Sequence, residues 1–134
     1  MKTIEGCYGL GYQDCLKAAG ATVHAFKKFG SYQGDWWAKV TLEDGRQGWV
    51  HGYYGSCSGC DALQATFDYG FGNMDYEAKT TTYTDEEWEK LVAFGESELE
   101  DFYESVEEAL KEAGKHREWD MEAKEAVAWL EASA

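Results

Sequence analysis

Gly34-Asp-Trp-Trp-Ala-Lys-Val-Thr-Leu-Glu-Asp-Gly-Arg-Gln-Gly-Trp-Val-His-Gly-Tyr53 is the stretch whose reading decides the fold. Trp36, Ala38, Val40 and Leu42 alternate with Asp35, Trp37, Lys39 and Thr41. That period of two is what a strand with one buried face produces. Asp44-Gly45 supplies a turn that tolerates positive φ, and Arg46 to Tyr53 returns as the partner strand. A two-residue turn sets Val40 opposite Trp49, Ala38 opposite His51 and Trp36 opposite Tyr53, an apolar ladder suited to a half-buried sheet.

Working outward, Gly11 to Gly20 holds Tyr12, Cys15, Leu16 and Ala19 at helical spacing and ends on glycine, which predicts a short helix. Thr22, Val23, Phe26, Phe29 and Tyr32 make 21–32 a strand. After the hairpin, the glycine-rich run through Cys57-Ser-Gly-Cys60 reads as a tight turn, and Asp61 caps a short helix to about Phe67. Residues 68–83 read as loop with a short strand near Thr80 to Tyr83. Thr84-Asp-Glu-Glu87 spells a capping box. The helix it opens is expected to run to Ala113 and stop at Gly114, with Trp88, Val92, Gly95, Leu99, Phe102, Val106 and Leu110 on its apolar stripe. Met121 to Ala132 forms a last helix, capped by Asp120, with Ala123, Ala126, Val127 and Leu130 apolar. The expected class is α+β, one domain over residues 1–134. A small antiparallel sheet of about three strands packs against a long acidic C-terminal helix and a shorter final one.

Composition bounds the function. The chain is 134 residues with 16% aromatic side chains, a content that disordered chains lack. Its apolar runs are too short to span a bilayer, and the N-terminus has no signal-like stretch, so a cytoplasmic protein is expected. The charge is divided unevenly. Residues 1–67 carry equal numbers of acids and bases, so the whole net charge of −14 lies in 68–134. A negative surface selects basic partners and repels nucleic acid and anionic membranes.

No catalytic grouping can be assembled. Cys57-Ser-Gly-Cys60 has the spelling of a redox dithiol, but the chain has no proline for the thioredoxin cis-proline and no βαβ alternation. It is also half of a possible zinc site, completed by Cys7 and Cys15 or by His24 or His51. Two small thiols in a glycine turn is the plainer alternative. His51 reads as a satisfied core or rim histidine. His116-Arg-Glu118 lacks the downstream Pro-Cys-x-x-Cys of a zinc deaminase. Gly9-Leu-Gly11 and Gly70-Phe-Gly72 lack the lysine and spacing of phosphate loops, and Asp68 to Glu77 lacks calcium-loop spacing. A protein that is not an enzyme is therefore expected.

The acidic helix carries the functional signal. Twelve acids fall between Asp85 and Glu112, against Lys90 and Lys111. On a continuous helix Glu100, Glu104 and Glu107 share one strip, and Asp101, Glu108 and Glu112 a neighbouring one. Carboxylates spaced roughly 5–6 Å apart in rows imitate nucleic-acid phosphates and suit an Arg/Lys groove. Glu96, Glu100, Asp101, Glu104, Glu107, Glu108 and Glu112 are the expected contacts, with Tyr103 or Trp119 as exposed aromatic anchors. The alternative is a solvated face that only maintains solubility.

The hairpin, with its Gly34-Asp-Trp, Asp44-Gly45 and Gly48-Trp-Val spellings, resembles the central hairpin of bacterial SH3-like domains. That resemblance implies a module binding a peptide or cell-wall ligand through Trp36, Trp37 and Trp49. The longer stretch Gly30-Ser-Tyr-Gln-Gly-Asp-Trp-Trp through Tyr54-Gly-Ser-Cys-Ser-Gly-Cys-Asp61 resembles small acidic proteins carried by phages and mobile elements. It implies a phage-type origin, and with it action in the host cytoplasm, but not an activity; by analogy with other small acidic phage proteins, the phosphate-mimic reading of the acidic helix becomes that of an anti-CRISPR-like inhibitor that occludes the basic groove of a host defence protein.

Overall fold

The computed structural model describes residues 2–5, 11–30, 34–54, 72–114 and 121–133. The expected Cys57–Cys60 turn, the helix at Asp61, the Asp120 cap, Cys7, His116 and Trp119 lie outside the described residues. The class is α+β. In chain order the elements are β1 (Lys2–Glu5), α1 (Tyr12–Ala18), β2 (Thr22–Gly30), β3 (Gly34–Thr41), β4 (Gln47–Tyr54), β5 (Asn73–Asp75), β6 (Thr80–Tyr83), α2 (Asp85–Glu98), β7 (Phe102–Tyr103), α3 (Val106–Gly114) and α4 (Met121–Ser133). Among the described residues two antiparallel sheets form instead of one: a four-stranded sheet ordered β2-β3-β4-β7 and a three-stranded one ordered β1-β6-β5.

The hairpin is where expected, but its register is one residue away. Trp36 faces Gly52, Trp37 faces His51, Ala38 faces Val50 and Val40 faces Gly48. The turn has three residues. Gly45 donates to the Leu42 carbonyl at 2.9 Å, Leu42 donates to the Arg46 carbonyl at 2.8 Å, and Gly45 sits at φ 94°. This is a type I turn closed by a left-handed glycine bulge. Asp44 fastens it by accepting from the Arg46 backbone N–H and side-chain Nε. The one-residue shift moves every side chain of the return strand to the other face. Trp49, His51 and Tyr53 therefore lie with Trp37, away from Trp36.

The sheet is covered on both sides. Trp36, Trp37 and Ala38 are consecutive and fully buried, so β3 has no solvent face. On one side Trp36, Ala38, Val40 and Val50 pack with Tyr12, Cys15 and Leu16 of α1, Tyr83 of β6 and Leu91 of α2. On the other, Phe29, Trp37 and Trp49 pack with Ala109 and Ala113 of α3 and Ala126 and Leu130 of α4. Burying roughly 200 Å² per indole at about 25 cal/mol per Å² is worth about 5 kcal/mol gross for each. Because all three of Trp36, Trp37 and Trp49 are core residues, they offer no ligand-binding platform of the kind the SH3 likeness implies.

The long acidic helix is the main correction. The capping box forms as spelled: Glu87 N–H donates to Thr84 Oγ1 at 3.2 Å, and Thr84 N–H donates to Glu87 Oε1 at 2.8 Å. The helix then ends at Glu98, and Phe102–Tyr103 pair with Val50 and Trp49 as the edge strand β7. The chain restarts helically at Val106. Two physical reasons combine. Acidic side chains with no basic residue near the end of α2 oppose its dipole. Beyond it, Phe102 and Tyr103 gain sheet pairing and core contact on opposite faces of the sheet.

Candidate functional site

Glu96, Glu100, Asp101, Glu104, Glu107 and Glu108 are all exposed, and none makes an ion pair among the described residues. The strips expected of a continuous helix do not exist, since residues 99–105 are not helical. The structure divides the acids into three groups. Glu107 and Glu108 occupy the first turn of α3, where the helix dipole favours them. There Ser105 accepts from Glu108 N–H at 3.2 Å.

The second group is gathered by tertiary structure. Glu96 and Glu100, at and just beyond the end of α2, meet Glu43 and Asp44 of the β3–β4 turn around an open groove of about 510 Å³. Ala19, Leu42 and Leu99 also line the groove, as does Arg46, which pairs with Asp44 at 2.9 Å. Glu43 and Asp44 were not anticipated, because only the fold brings the hairpin turn to the end of α2.

The third group surrounds a row of rings. Tyr103, Trp37, His51 and Tyr53 follow one another at centroid distances of 5.7, 4.6 and 4.8 Å. His51 is buried, and its Nε2 lies 2.9 Å from Asp35 Oδ2. Its backbone N–H donates to the Asp101 carbonyl at 3.3 Å, which ties β4 to the start of β7. Tyr103 is half-buried and was expected to be exposed, whereas Tyr53 is 56% exposed. Burial raises the phenol pKa of both; Asp35, Glu112 and Asp101 add to the rise at Tyr53, and Glu112, Asp101 and Tyr53 add to it at Tyr103. The imidazole is enclosed by rings and bonded to a carboxylate. It is built to hold Asp35 in place and has little access to a substrate.

Cys15 is a free, fully buried thiol in the core below α1. Burial pushes its pKa far up, with Asp14 and Glu98 adding to the rise, so it stays protonated and is a poor metal ligand or nucleophile as placed. No group of three or more metal-ligating side chains occurs among the described residues. No described helix is long and apolar enough to cross a membrane. The chain matches no known protein family, no curated protein and no solved structure.

Proposed function

We propose that this is a non-catalytic binding protein whose acidic surface covers a basic, nucleic-acid-binding groove of a partner protein. The observation that carries the reading is the gathering of Glu43, Asp44, Glu96 and Glu100 around one open groove. Glu96 and Glu100 stand at the negative end of α2, where the dipole opposes them and no basic residue in the last turn offsets them. Glu96 and Glu100, placed against local stability, exposed and in no ion pair among the described residues, are accounted for by a cationic partner. The phage-like resemblance of the aromatic segment makes a host defence effector that binds RNA or DNA the partner class of choice.

The test is capture from a host lysate at low and high salt, with duplex DNA as competitor. Binding is expected to weaken as salt rises, to be displaced by DNA, and to be lost in a Glu96→Lys/Glu100→Lys variant that still folds. Capture that is indifferent to charge reversal and to competing DNA would overturn the proposal.

A further inference from the structure

The bases of the chain are as unevenly placed as its acids. Residues 15–34 hold three lysines and no Asp or Glu, in a protein with 26 acids and a net charge of −14. Nine residues of that run form β2. Its one strand neighbour among the described residues is β3, so its other side is a free sheet edge. The hairpin decides which backbone groups face that edge. Leu42 N–H bonds the Arg46 carbonyl, so alternation directs Val40, Ala38 and Trp36 to β4, and Thr41, Lys39, Trp37 and Asp35 to β2. The partners of this second set are Thr22, Ala25, Lys27 and Phe29. Phe26 and Lys28, lying between them, turn their N–H and C=O groups outward. A bulge interrupts the ladder between Val23 and Ala25, so the regular edge covers residues 25–30, a length of about 20 Å.

We infer that this edge receives an extended acidic segment of a partner protein, added to the sheet as a further strand. Main-chain bonds to Phe26 and Lys28 hold it. Lys27 and Lys28, both exposed, stand on opposite faces of β2 and so flank an added strand on both sides. Lys27 Nζ lies 5.5 Å from the Phe29 ring centre and Lys28 Nζ 4.9 Å from that of Tyr54, and neither lysine makes an ion pair among the described residues. An ammonium resting on a ring keeps N–H donors for a carboxylate. The Tyr54 hydroxyl donates to the Phe29 carbonyl at 3.0 Å, but that carbonyl belongs to the set facing β3, and the outward groups are untouched. Lysines on an edge strand keep like edges apart, and two copies of β2 would bring the same charges together. A strand bearing carboxylates turns that repulsion into attraction. The edge shares no residue with the acidic groove, so the inference stands apart from the reading above.

Three end-blocked octapeptides test the inference, of alternating Glu and Thr, Lys and Thr, and Glu and Pro. Each is added to the intact chain while amide exchange is followed residue by residue. In the protein alone the Phe26 and Lys28 amides should exchange faster than those of Lys27 and Phe29, which bond β3. The Glu-Thr peptide, at about ten times its Kd, is expected to slow Phe26 and Lys28 about tenfold. The Glu-Pro peptide has the same charge but cannot supply a strand's donors, and should leave both amides fast. Lys27→Gln/Lys28→Gln, at exposed positions, should weaken the Glu-Thr peptide about fivefold, the scale of two exposed ion pairs. Phe26 and Lys28 amides unchanged by the Glu-Thr peptide, or slowed equally by either of the others, would overturn the proposal. So would slowing that follows protein concentration alone, which would place a second copy on the edge.

Discussion

At the scale of single residues, Gly95 sets how closely α1 and α2 approach. A Cβ there would overlap the Cys15 carbonyl and press on Ala19. Gly95→Ala therefore forces the two helices apart and should cost about 1–3 kcal/mol, read as a lower urea midpoint. Asp14 on α1 accepts from Tyr83 Oη at 2.7 Å. Burial raises its pKa above the ordinary 3.8, outweighing the Tyr83 bond and Lys17 that lower it. A raised folded pKa means the native state holds the proton more tightly, so this group adds stability as pH falls through the folded value, levelling off below 3.8. Glu87 behaves oppositely. Burial pushes it up, but the N–H groups of Thr84 and Gly72 prevail and lower it, so its contribution is lost as pH falls. Relative to Asp14→Asn, the unaltered protein should gain stability from neutral pH to about pH 4; relative to Glu87→Gln it should lose stability over the acid range. Urea midpoints across pH check both signs, and a flat difference for Asp14→Asn would remove the role given to its burial. Asp14 could not be singled out from its neighbours in sequence, because the Tyr83 hydroxyl that donates to it lies 69 positions away.

At the scale of elements, what was legible followed local rules, and what was not depended on distant partners. The capping box at Thr84, the strand at Thr80–Tyr83 and the helix from Met121 could each be read from their own residues. The break after Glu98 had one local signal: Ser105-Val-Glu-Glu108 repeats the Ser/Thr-x-x-Glu spelling that starts α2. The apolar stripe ran through it undisturbed, since Phe102 and Val106 keep helical spacing by chance. The attraction that wins is nonlocal. Gly48 leaves no side chain between β4 and the incoming Tyr103 carbonyl and Phe102 ring, and only the corrected register shows that Gly48 stands there. Ser105→Ala should cost about 1 kcal/mol by uncapping α3, with β7 still paired. Gly48→Val should instead expel β7, because its side chain would occupy the place of Phe102 and Tyr103. The expected readout is faster exchange of the His51 amide, whose acceptor is Asp101. A protected His51 amide in Gly48→Val would show that β7 docks without that vacancy.

At the scale of the whole molecule, the net charge of −14 is arranged unevenly with respect to the helix dipoles. Asp85, Glu86 and Glu87 open α2, and Glu107 and Glu108 open α3, all in first turns where negative charge is stabilising. Glu96 lies near the end of α2 and Glu100 just beyond it, where negative charge is destabilising, and they share their groove with Glu43 and Asp44. If the acids served only to keep the molecule dispersed, either set would do, and the costly placement would have no counterpart. The two sets make opposite predictions. Glu107→Gln/Glu108→Gln should lower stability by about 0.3–1 kcal/mol per charge at low salt, read as a lower melting temperature. Glu96→Gln/Glu100→Gln should raise stability and the melting temperature to a similar extent, because a repulsive cluster and an opposed dipole are relieved together. The same Glu96/Glu100 change should weaken binding of a basic peptide more than the Glu107/Glu108 change does, since both remove two charges but only one removes them from the groove. Added salt should shrink both stability differences, as it screens exposed charges beyond about 10 Å at 0.1 M. A Glu96/Glu100 variant that is more stable and binds the peptide unchanged would show the groove to be a repulsive accident of folding. One that is more stable and binds poorly would show stability given up for a charged surface.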